Sequence, residues 1–125
     1  MSEKVVVPAE IAAQSFAVIR AEMRQMGYKF PTPEQAIVER VIHSTADFEF
    51  ANLLQLSPDA IAQGVSALQR GAAVVVDVNM VRIGINQRRV QAFGSAVHCY
   101  VGDVVAHARV SGLTRTAAGL LLALE

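Results

Sequence analysis

Apolar residues recur at helical spacing in three stretches of the chain, and polar residues, proline or glycine mark the ends of each stretch. The first begins near Pro8, a favoured residue of a first helical turn, and ends at Gly27. The second begins at Thr32 and runs to about Ala46. The third opens at Ser57-Pro58-Asp59 and ends at Gly71. The pattern predicts three helices with these apolar faces: Ile11, Ser15, Val18, Ile19 and Met26; Ile37, Val38, Val41 and Ile42; Ile61, Val65 and Leu68.

After the third helix the pattern changes to short apolar runs. Residues 72–78 and 96–101 have the unbroken apolar character of parallel strands that are buried on both faces. A helical segment from Asn86 to Phe93 separates them, and this order predicts a right-handed crossover. Further helices are predicted over Asp103–Arg109 and Thr114–Leu124. The chain is therefore predicted to be a helix-rich α/β protein with a short parallel sheet and crossover helices.

The composition adds a surplus of apolar residues to this picture. The chain has 125 residues, of which 53% are hydrophobic and 18% charged. We expect a single domain over residues 1–125 whose remaining apolar surface faces a second copy or another partner. A second copy would make the protein a homo-oligomer, and composition alone does not choose between the two.

The charge balance argues against two classes of partner. Eleven basic and eleven acidic residues give no net charge, so the basic surface of a nucleic-acid-binding protein is not expected. The longest charge-free run, Val90–Gly102, is too short and too polar to cross a bilayer. The first residues lack the long apolar segment of a secretory signal. We expect a soluble cytoplasmic protein with no membrane partner.

Several familiar chemistries lack support in the sequence. The motifs Gly-x-Ser-x-Gly, His-Glu-x-x-His, Cys-x-x-Cys and the Walker loop are absent, so hydrolase, metalloprotease and kinase activities are not indicated. The single cysteine, Cys99, has no Cys or His at zinc-ligand spacing, and we expect a buried apolar role for it. His98 lies in an apolar strand and is expected in the core. His107 is expected in an exposed helix turn without a functional role.

The second helix carries the most informative polar cluster. Glu39 lies four residues and Arg40 three residues before His43, so a carboxylate, a guanidinium and an imidazole share one side of the helix. Asp47 would extend that side only if the helix continued. A carboxylate can hold the proton of a histidine and an arginine can fix an anionic substrate, which together outline a general-acid site. The alternative is a surface helix with ordinary charge pairs.

Two further positions are compatible with ligand binding. Asp77 and Asn79 follow the first predicted strand, where ligands bind in open α/β sheets, although either residue could instead cap the next helix. Arg115 lies in the first turn of the last predicted helix, where an arginine opposes the helix dipole unless an anion binds there. A solvated arginine is the alternative. No glycine-rich phosphate loop follows the strand, so a nucleotide cofactor is not indicated.

Four segments of the chain together resemble the precorrin-8X methylmutase family, in its order and at its spacing. They are Ser15–Glu22, Arg40–Phe50, Asp77–Val81 with Gly84-Ile85, and Thr114–Ala118. The resemblance implies the α/β fold of that family and an isomerase of cobalamin biosynthesis. The implied reaction moves a methyl group from C11 to C12 of a corrinoid ring in precorrin-8X or cobalt-precorrin-8. Its product is hydrogenobyrinic acid or its cobalt-containing counterpart.

The same resemblance assigns roles to individual residues. It implies that His43 is the proton donor and acceptor, and that Ser15 and Arg40 contact the substrate. Further substrate-binding positions fall in the matching motifs and are Asp77, Asn79, Met80 and Arg115. An apolar slot with a lining of arginines (Arg20, Arg40, Arg82 and Arg115) would suit a macrocycle that carries carboxylate side arms.

Cofactors and length complete the expectations from the resemblance. No metal or organic cofactor is expected, because the reaction is an internal rearrangement and any cobalt belongs to the substrate. Family members are longer homodimers that continue past the Thr114–Ala118 segment, so this chain resembles their N-terminal part. Besides an active methylmutase, two alternatives stay open: a methylmutase-like protein that binds a tetrapyrrole or a protein without catalysis, and a fragment whose fold is completed by self-association.

Overall fold

The chain folds into two compact units. The first unit ends at Ile61, and the second begins at Ala62. The computed structural model describes residues 7–104, 108–109 and 111–125. The described helices are α1 (Pro8–Gln25), α2 (Thr32–Thr45), α3 (Phe50–Leu53), α4 (Ala60–Gln69), α5 (Asn79–Gly84), α6 (Gln87–Ala92) and α7 (Arg115–Leu122). The described strands, β1 (Val74–Val75) and β2 (Val97–His98), pair in parallel. The predicted helix-rich α/β class is confirmed, whereas the single domain over residues 1–125 stays a prediction.

Glycine ends three of these helices, and two of these ends, at Gly27 and Gly71, are predicted from the sequence. After α1, the amide of Tyr28 donates to the carbonyl of Met23 and the amide of Gly27 donates to that of Arg24. This is the Schellman arrangement, which needs a left-handed residue, and Gly27 supplies it with a φ of 83°. The same pair of hydrogen bonds ends α4 at Gly71 and α6 at Gly94. Proline in the first turn marks the starts of α1 and α2.

The core of the first unit lies where α1 and α2 meet. It consists of buried residues from α1, α2 and α3, with partly buried aromatic rings packed around them: Ile19, Met23, Val38, Ile42 and Ala51, with Phe16, Tyr28, Phe30 and Phe48. The predicted apolar face of α2 is confirmed at Val38 and Ile42, which are 2% and 1% exposed. The predicted face of α1 is wrong at Ile11, Val18 and Met26, which are all more than half exposed.

The difference on α1 has a packing reason. Phe16, Ile19 and Met23 recur at spacings of three and four residues and form the stripe that meets the core. Val18 lies next to that stripe in sequence but points away from it, because adjacent residues of a helix are about 100° apart. Because α1 has many apolar residues, their spacing is compatible with several apolar faces. It does not show which of these faces packs against the core.

In the second unit, β1 and β2 form a short parallel ladder. Val74 pairs with Val97 and Val75 with His98, and the amides of Val74 and Val76 donate to the carbonyls of Ala96 and His98. The strands are shorter than the predicted runs. The prediction that they are buried on both faces is wrong, because Val75 is 39% exposed and His98 is also exposed. Within the described residues, one face of the ladder has no covering layer, so alternate side chains face solvent.

Helices α6 and α7 match the sequence prediction closely, whereas the predicted apolar face of the third helix is wrong at Val65, which is half exposed. Asn86 caps α6 through its side chain, which accepts from the amide of Arg89, and Thr114 caps α7 by accepting from Ala117. The predicted helix over Asp103–Arg109 lies partly outside the described residues, and His107 lies outside them. Asp103 and Val104, which are described, form a turn. None of the described helices is long and apolar enough to span a membrane.

Helix α7 packs closely on neighbouring backbone. Ala118, which is 1% exposed, joins Val104 and Ala108 in a second small core. A Cβ at Gly119 would lie 3.2 Å from the backbone of Tyr100 and Val101, so glycine permits this close approach.

Helix α2 ends differently from the glycine-capped helices, and this gives a first testable prediction. Ala46 adopts a left-handed conformation with a φ of 55°, which costs an alanine about 1–2 kcal/mol but costs glycine almost nothing. We expect Ala46→Gly to raise the free energy of unfolding by about 0.5–1 kcal/mol, after the greater freedom of glycine in the unfolded chain is counted.

The matched control is Ala36→Gly, at an exposed position inside α2. There we expect a decrease of about 1 kcal/mol, because glycine is unfavourable in a helix interior. Urea unfolding followed by circular dichroism measures both variants. A decrease in stability for Ala46→Gly would contradict the prediction.

Candidate functional site

Two antiparallel helices of the first unit bring the candidate site together. Ser15 of α1 contacts His43 of α2, and Arg20 of α1 contacts Glu39 of α2. The residue numbers rise along α1 and fall along α2, which is the order of antiparallel neighbours. Residues 15 and 20 therefore face residues 43 and 39 along the same seam.

A hydrogen bond joins the predicted serine to the predicted histidine. The Oγ of Ser15 lies 3.0 Å from the Nδ1 of His43. A hydroxyl can donate or accept, so Ser15 suits either tautomer of the imidazole. The Nε2 of His43 has no hydrogen-bond partner among the described residues, and the side chain is exposed. This nitrogen is therefore available to a ligand.

An aromatic ring completes the cluster around His43. The rings of Phe16 and His43 are stacked, with centroids 4.6 Å apart and planes inclined by 22°. The guanidinium carbon of Arg40 lies 4.8 Å from the centroid of the same Phe16 ring. Residues 40 and 43 are three apart on α2 and so share the face that meets α1 here. Ser15, Arg40 and His43 are thus brought together around Phe16.

Glu39 does not belong to this cluster, contrary to the interpretation of a carboxylate beside His43. Its side chain is 4% exposed, and its two oxygens accept from the Nε of Arg20 at 2.9 and 3.0 Å. The Nε2 of Gln35 donates to Oε1 at 2.7 Å. Glu39 and His43 are four positions apart on α2 and both contact α1, but Glu39 is buried in the helix interface while His43 is exposed. The partner of the His43 ring is a hydroxyl, not a carboxylate.

The helix end explains the position of Asp47. Because α2 ends at Thr45 and Ala46 is left-handed, Asp47 leaves the face that carries His43. Its Oδ1 instead accepts from the amide of Glu49, and its own amide donates to Thr45 Oγ1. Asp47 thus organises the turn into α3.

Arg20 and Arg40 lie at different contacts between α1 and α2. Arg20 is paired with Glu39 and lies toward the end of α1, beside an open cavity of about 380 Å³ with Arg24, Tyr28 and Lys29. Arg40 lies at the other contact, over Phe16. The predicted lining role of Arg20 stays a prediction, since its Nε serves the ion pair while half of its side chain is exposed.

The second unit holds the remaining predicted positions. Asp77, Asn79 and Met80 lie after β1 at the start of α5, and all three are exposed, Met80 by 83%. The residue before α5 is Val78, and no side chain caps this helix, so the capping interpretation of Asp77 and Asn79 is wrong. The exposed polar groups and the methionine remain free of a capping role.

Arg115 is the first residue of α7, as predicted, and its side chain is exposed. With Arg109 and Leu113 it lines an open cavity of about 240 Å³. Arg82 of α5 lines another, of about 320 Å³, with Gln87 and Val97. The two guanidinium groups in the first cavity are suited to an anion.

The expectations for His98 and Cys99 need correction. His98 is exposed rather than buried, and its ring stacks on that of Tyr100 with centroids 6.1 Å apart. Cys99 is half-buried and free. His98 is the last residue of β2 and lies on the face of the ladder that is exposed among the described residues, and Cys99 follows the strand.

Phe16 and Gln35 are the members of this region that sequence reasoning missed. An apolar stripe at helical spacing indicates that Phe16 packs in a core but not that one face of its ring meets an imidazole. A signal was present for Gln35, which lies four residues before Glu39 on the same side of α2.

Comparisons with known proteins agree with this picture. The family model described as precorrin-8X methylmutase matches residues 10–125. A cobalt-precorrin-8 methylmutase of Salmonella typhimurium is 38% identical over 122 residues, which are 94% of this chain and 58% of that protein. A precorrin-8X methylmutase of Pseudomonas aeruginosa is 38% identical over 112 residues, which are 88% of this chain and 52% of that protein.

A solved structure gives the same result for the fold. The precorrin-8X methylmutase of Thermus thermophilus superimposes with a TM-score of 0.77 at 33% identity, over 93% of this chain and 55% of that chain. The chain therefore spans about half the length of the curated relatives that it matches.

The ion pair between α1 and α2 gives a second testable prediction. We expect Arg20→Gln to lower the free energy of unfolding by about 1–2 kcal/mol, because it leaves the buried Glu39 carboxylate without its cation. The effect is smaller than for a fully buried pair because the Arg20 side chain is 51% exposed.

Arg24→Gln is the matched control, the same substitution one turn further along α1. Arg24 is exposed, and its one hydrogen bond among the described residues goes to the backbone carbonyl of Arg20, so we expect the free energy of unfolding to change by no more than about 0.5 kcal/mol. Chemical unfolding at constant pH and salt measures both. An equal decrease in the free energy of unfolding for the two variants would show that the ion pair with Arg20 does not stabilise the buried Glu39 carboxylate.

Proposed function

Because this chain belongs to the precorrin-8X methylmutase family, we propose that it acts as an isomerase of cobalamin biosynthesis. The proposed reaction moves a methyl group from C11 to C12 of a corrinoid ring. The observation that carries the proposal is the Ser15–His43 hydrogen bond, which leaves the Nε2 of an exposed histidine free beside an arginine. The proposed substrate is precorrin-8X or cobalt-precorrin-8.

His43 is the proposed proton donor and acceptor. With Nδ1–H donating to the Oγ of Ser15, the exchangeable proton of the imidazolium is on Nε2. His43 gives this proton to a ring nitrogen of the substrate, which makes the ring electron-poor and favours the methyl shift. After the shift the proton returns to Nε2, so substrate and product have the same composition. Ser15 can accept from Nδ1 throughout this cycle.

Charge complementarity supports a role for arginine in substrate binding. A corrinoid of this pathway carries acetate and propionate arms, and guanidinium groups bind carboxylates through two parallel hydrogen bonds. Arg40, which is exposed and three residues from His43, is the proposed partner of one arm. Ser15, at the histidine ring, is the proposed contact for the macrocycle near the reacting nitrogen.

The exposed positions of the second unit complete the proposed substrate-binding set. They are Asp77, Asn79, Met80 and Arg115. By their chemistry, Arg115 suits a carboxylate, Asp77 and Asn79 suit polar groups, and Met80 offers an apolar, polarisable contact. Their exposure supports the assignment because none of them is consumed by a capping hydrogen bond at α5 or a buried ion pair.

The proposed reaction needs no metal or organic cofactor, because no atom or electron is gained or lost overall. Any cobalt belongs to the substrate. We also propose that the protein works in the cytoplasm as a homo-oligomer such as a dimer. Exposed apolar side chains in the second unit support self-association, among them Ile83, at 77% exposure, and Leu124, at 83%.

A second function is favoured by one observation: Leu120, Leu121 and Leu124, at the end of α7 and just after it, are exposed apolar side chains. A protein of this kind could bind a tetrapyrrole or a protein partner without turning it over. Tight binding of hydrogenobyrinic acid, seen as a spectral shift and co-elution, together with no turnover of either substrate, would favour this function over the isomerase.

The third testable prediction concerns His43. We expect His43→Gln to lower kcat by about 10²–10⁴-fold on precorrin-8X or cobalt-precorrin-8, because the amide cannot donate and recover the proton. Conversion is followed by the absorbance of the corrinoid product. The matched control is His98→Gln, which changes an exposed histidine of the second unit and should leave kcat within twofold of the parent value. Full activity of His43→Gln would refute the proposed role.

A fourth prediction separates Ser15 from general binding effects. We expect Ser15→Ala to lower kcat about tenfold with a small change in KM, because the imidazole loses the hydrogen bond that orients Nε2. Ser15→Thr keeps a hydroxyl and should recover part of the loss. A large rise in KM with unchanged kcat for Ser15→Ala would instead assign Ser15 to substrate binding alone.

A further inference from the structure

We propose that Phe16 is a positioning residue that sets the orientation of both His43 and Arg40 toward the substrate. This inference rests on the proposed function, since it concerns the same histidine and arginine. Phe16 does not take part in proton transfer. Its role is to present one rigid aromatic ring to both side chains.

One hydrogen bond is not enough to orient an imidazole. The bond from Ser15 to Nδ1 fixes one point on the edge of the ring but leaves the ring plane free to turn about that point. The stacked ring of Phe16, 4.6 Å away and inclined by 22°, restricts the plane as well. Edge and face together determine where Nε2 points. Residues 15 and 16 are adjacent on α1, so one short segment supplies both constraints.

Phe16 is suited to this task because it is itself held in place. Its ring is half-buried and packs against the core formed by Ile19, Met23, Val38 and Ile42. His43 and Arg40 are both exposed and have no such support of their own. The packed core can therefore transmit its rigidity to two exposed side chains through a single ring.

Arg40 benefits from the same ring by a different interaction. A guanidinium 4.8 Å from an aromatic centroid is attracted to the negative face of the ring. The attraction reduces the number of conformations that this long side chain samples. With His43 fixed to the same ring, the guanidinium and Nε2 keep a constant separation. A carboxylate arm bound by Arg40 would then position the corrinoid so that one of its ring nitrogens lies next to the Nε2 of His43.

The experiment compares variants that keep or remove the aromatic face. Phe16→Leu and Phe16→Met keep apolar volume for the core but have no ring, whereas Phe16→Tyr keeps the ring. Phe30→Leu is the matched control, because Phe30 packs against the same core and has its ring contact with Tyr28 rather than with His43. The full chain is used in each case.

The first measurement does not depend on activity. A proton above an aromatic face resonates upfield, so the ring protons of His43, assigned with His43→Gln, report the stacking by NMR. We expect Phe16→Leu and Phe16→Met to move these signals downfield, while Phe16→Tyr and Phe30→Leu leave them in place. Unchanged His43 signals in folded Phe16→Leu would overturn the proposal. Failure of both ringless variants to fold, with Phe30→Leu folded, would also overturn it by assigning Phe16 to the core alone.

The second measurement is turnover. We expect Phe16→Leu to lower kcat about tenfold and to raise KM, with both recovered in Phe16→Tyr. Wild-type kcat and KM in Phe16→Leu would overturn the proposal. Absence of turnover in the parent protein would refute the proposed isomerase instead, and the NMR comparison would still decide whether Phe16 orients His43.

Discussion

A carboxylate buried between two helices sets the geometry of the first unit. Glu39 lies in the α1–α2 interface and can stay charged there only with partners, which Arg20 and Gln35 provide. Sliding α1 along α2 by one turn would separate Glu39 from Arg20 and leave the charge unpaired. The ion pair thus favours one register. In that register Ser15, about 7.5 Å along α1 from Arg20, meets His43, about 6 Å along α2 from Glu39.

The contact between α1 and α2 has two ends with different roles. The Arg20–Glu39 end stabilises the helix pair, and the Ser15–His43 end carries the side chains that are proposed to react. At the Glu39 end the carboxylate is buried and accepts from Arg20 and Gln35, whereas at the His43 end the imidazole and guanidinium face solvent. Phe16, Ile19 and Met23 connect the two ends through the core on α1. A protein can hold exposed reactive side chains in fixed positions only if the residues under them are well packed. Here the core between α1 and α2 provides that support.

The sequence predicted local features well, and the contacts between elements poorly. Helix ends at Gly27, Gly71 and Gly94 follow from backbone chemistry that a single residue determines, so they could be predicted. The partner of Glu39 could not, because spacing on α2 tells which side of the helix a residue is on and not which helix lies opposite. For the same reason the apolar runs indicated strands but not their cover, and His98, expected in the core, is exposed. Spacing on the second helix already indicated Arg40 and His43, and the family resemblance added Ser15, whereas their meeting around Phe16 is a result of packing between helices.

The exposure of His43 has a chemical consequence for the proposed isomerase. A general acid in open solvent exchanges its proton with water, and the charge developing on a substrate nitrogen is then screened. A corrinoid is a broad, largely apolar ring, so a substrate resting over His43 would itself exclude much of the water between Nε2 and the reacting nitrogen. Its carboxylate arms at the rim could remain hydrated or bind exposed arginines. In this arrangement the protein has to orient its reactive side chains more than it has to enclose the substrate. The packed interface of α1 and α2 can provide that orientation for His43 and Arg40.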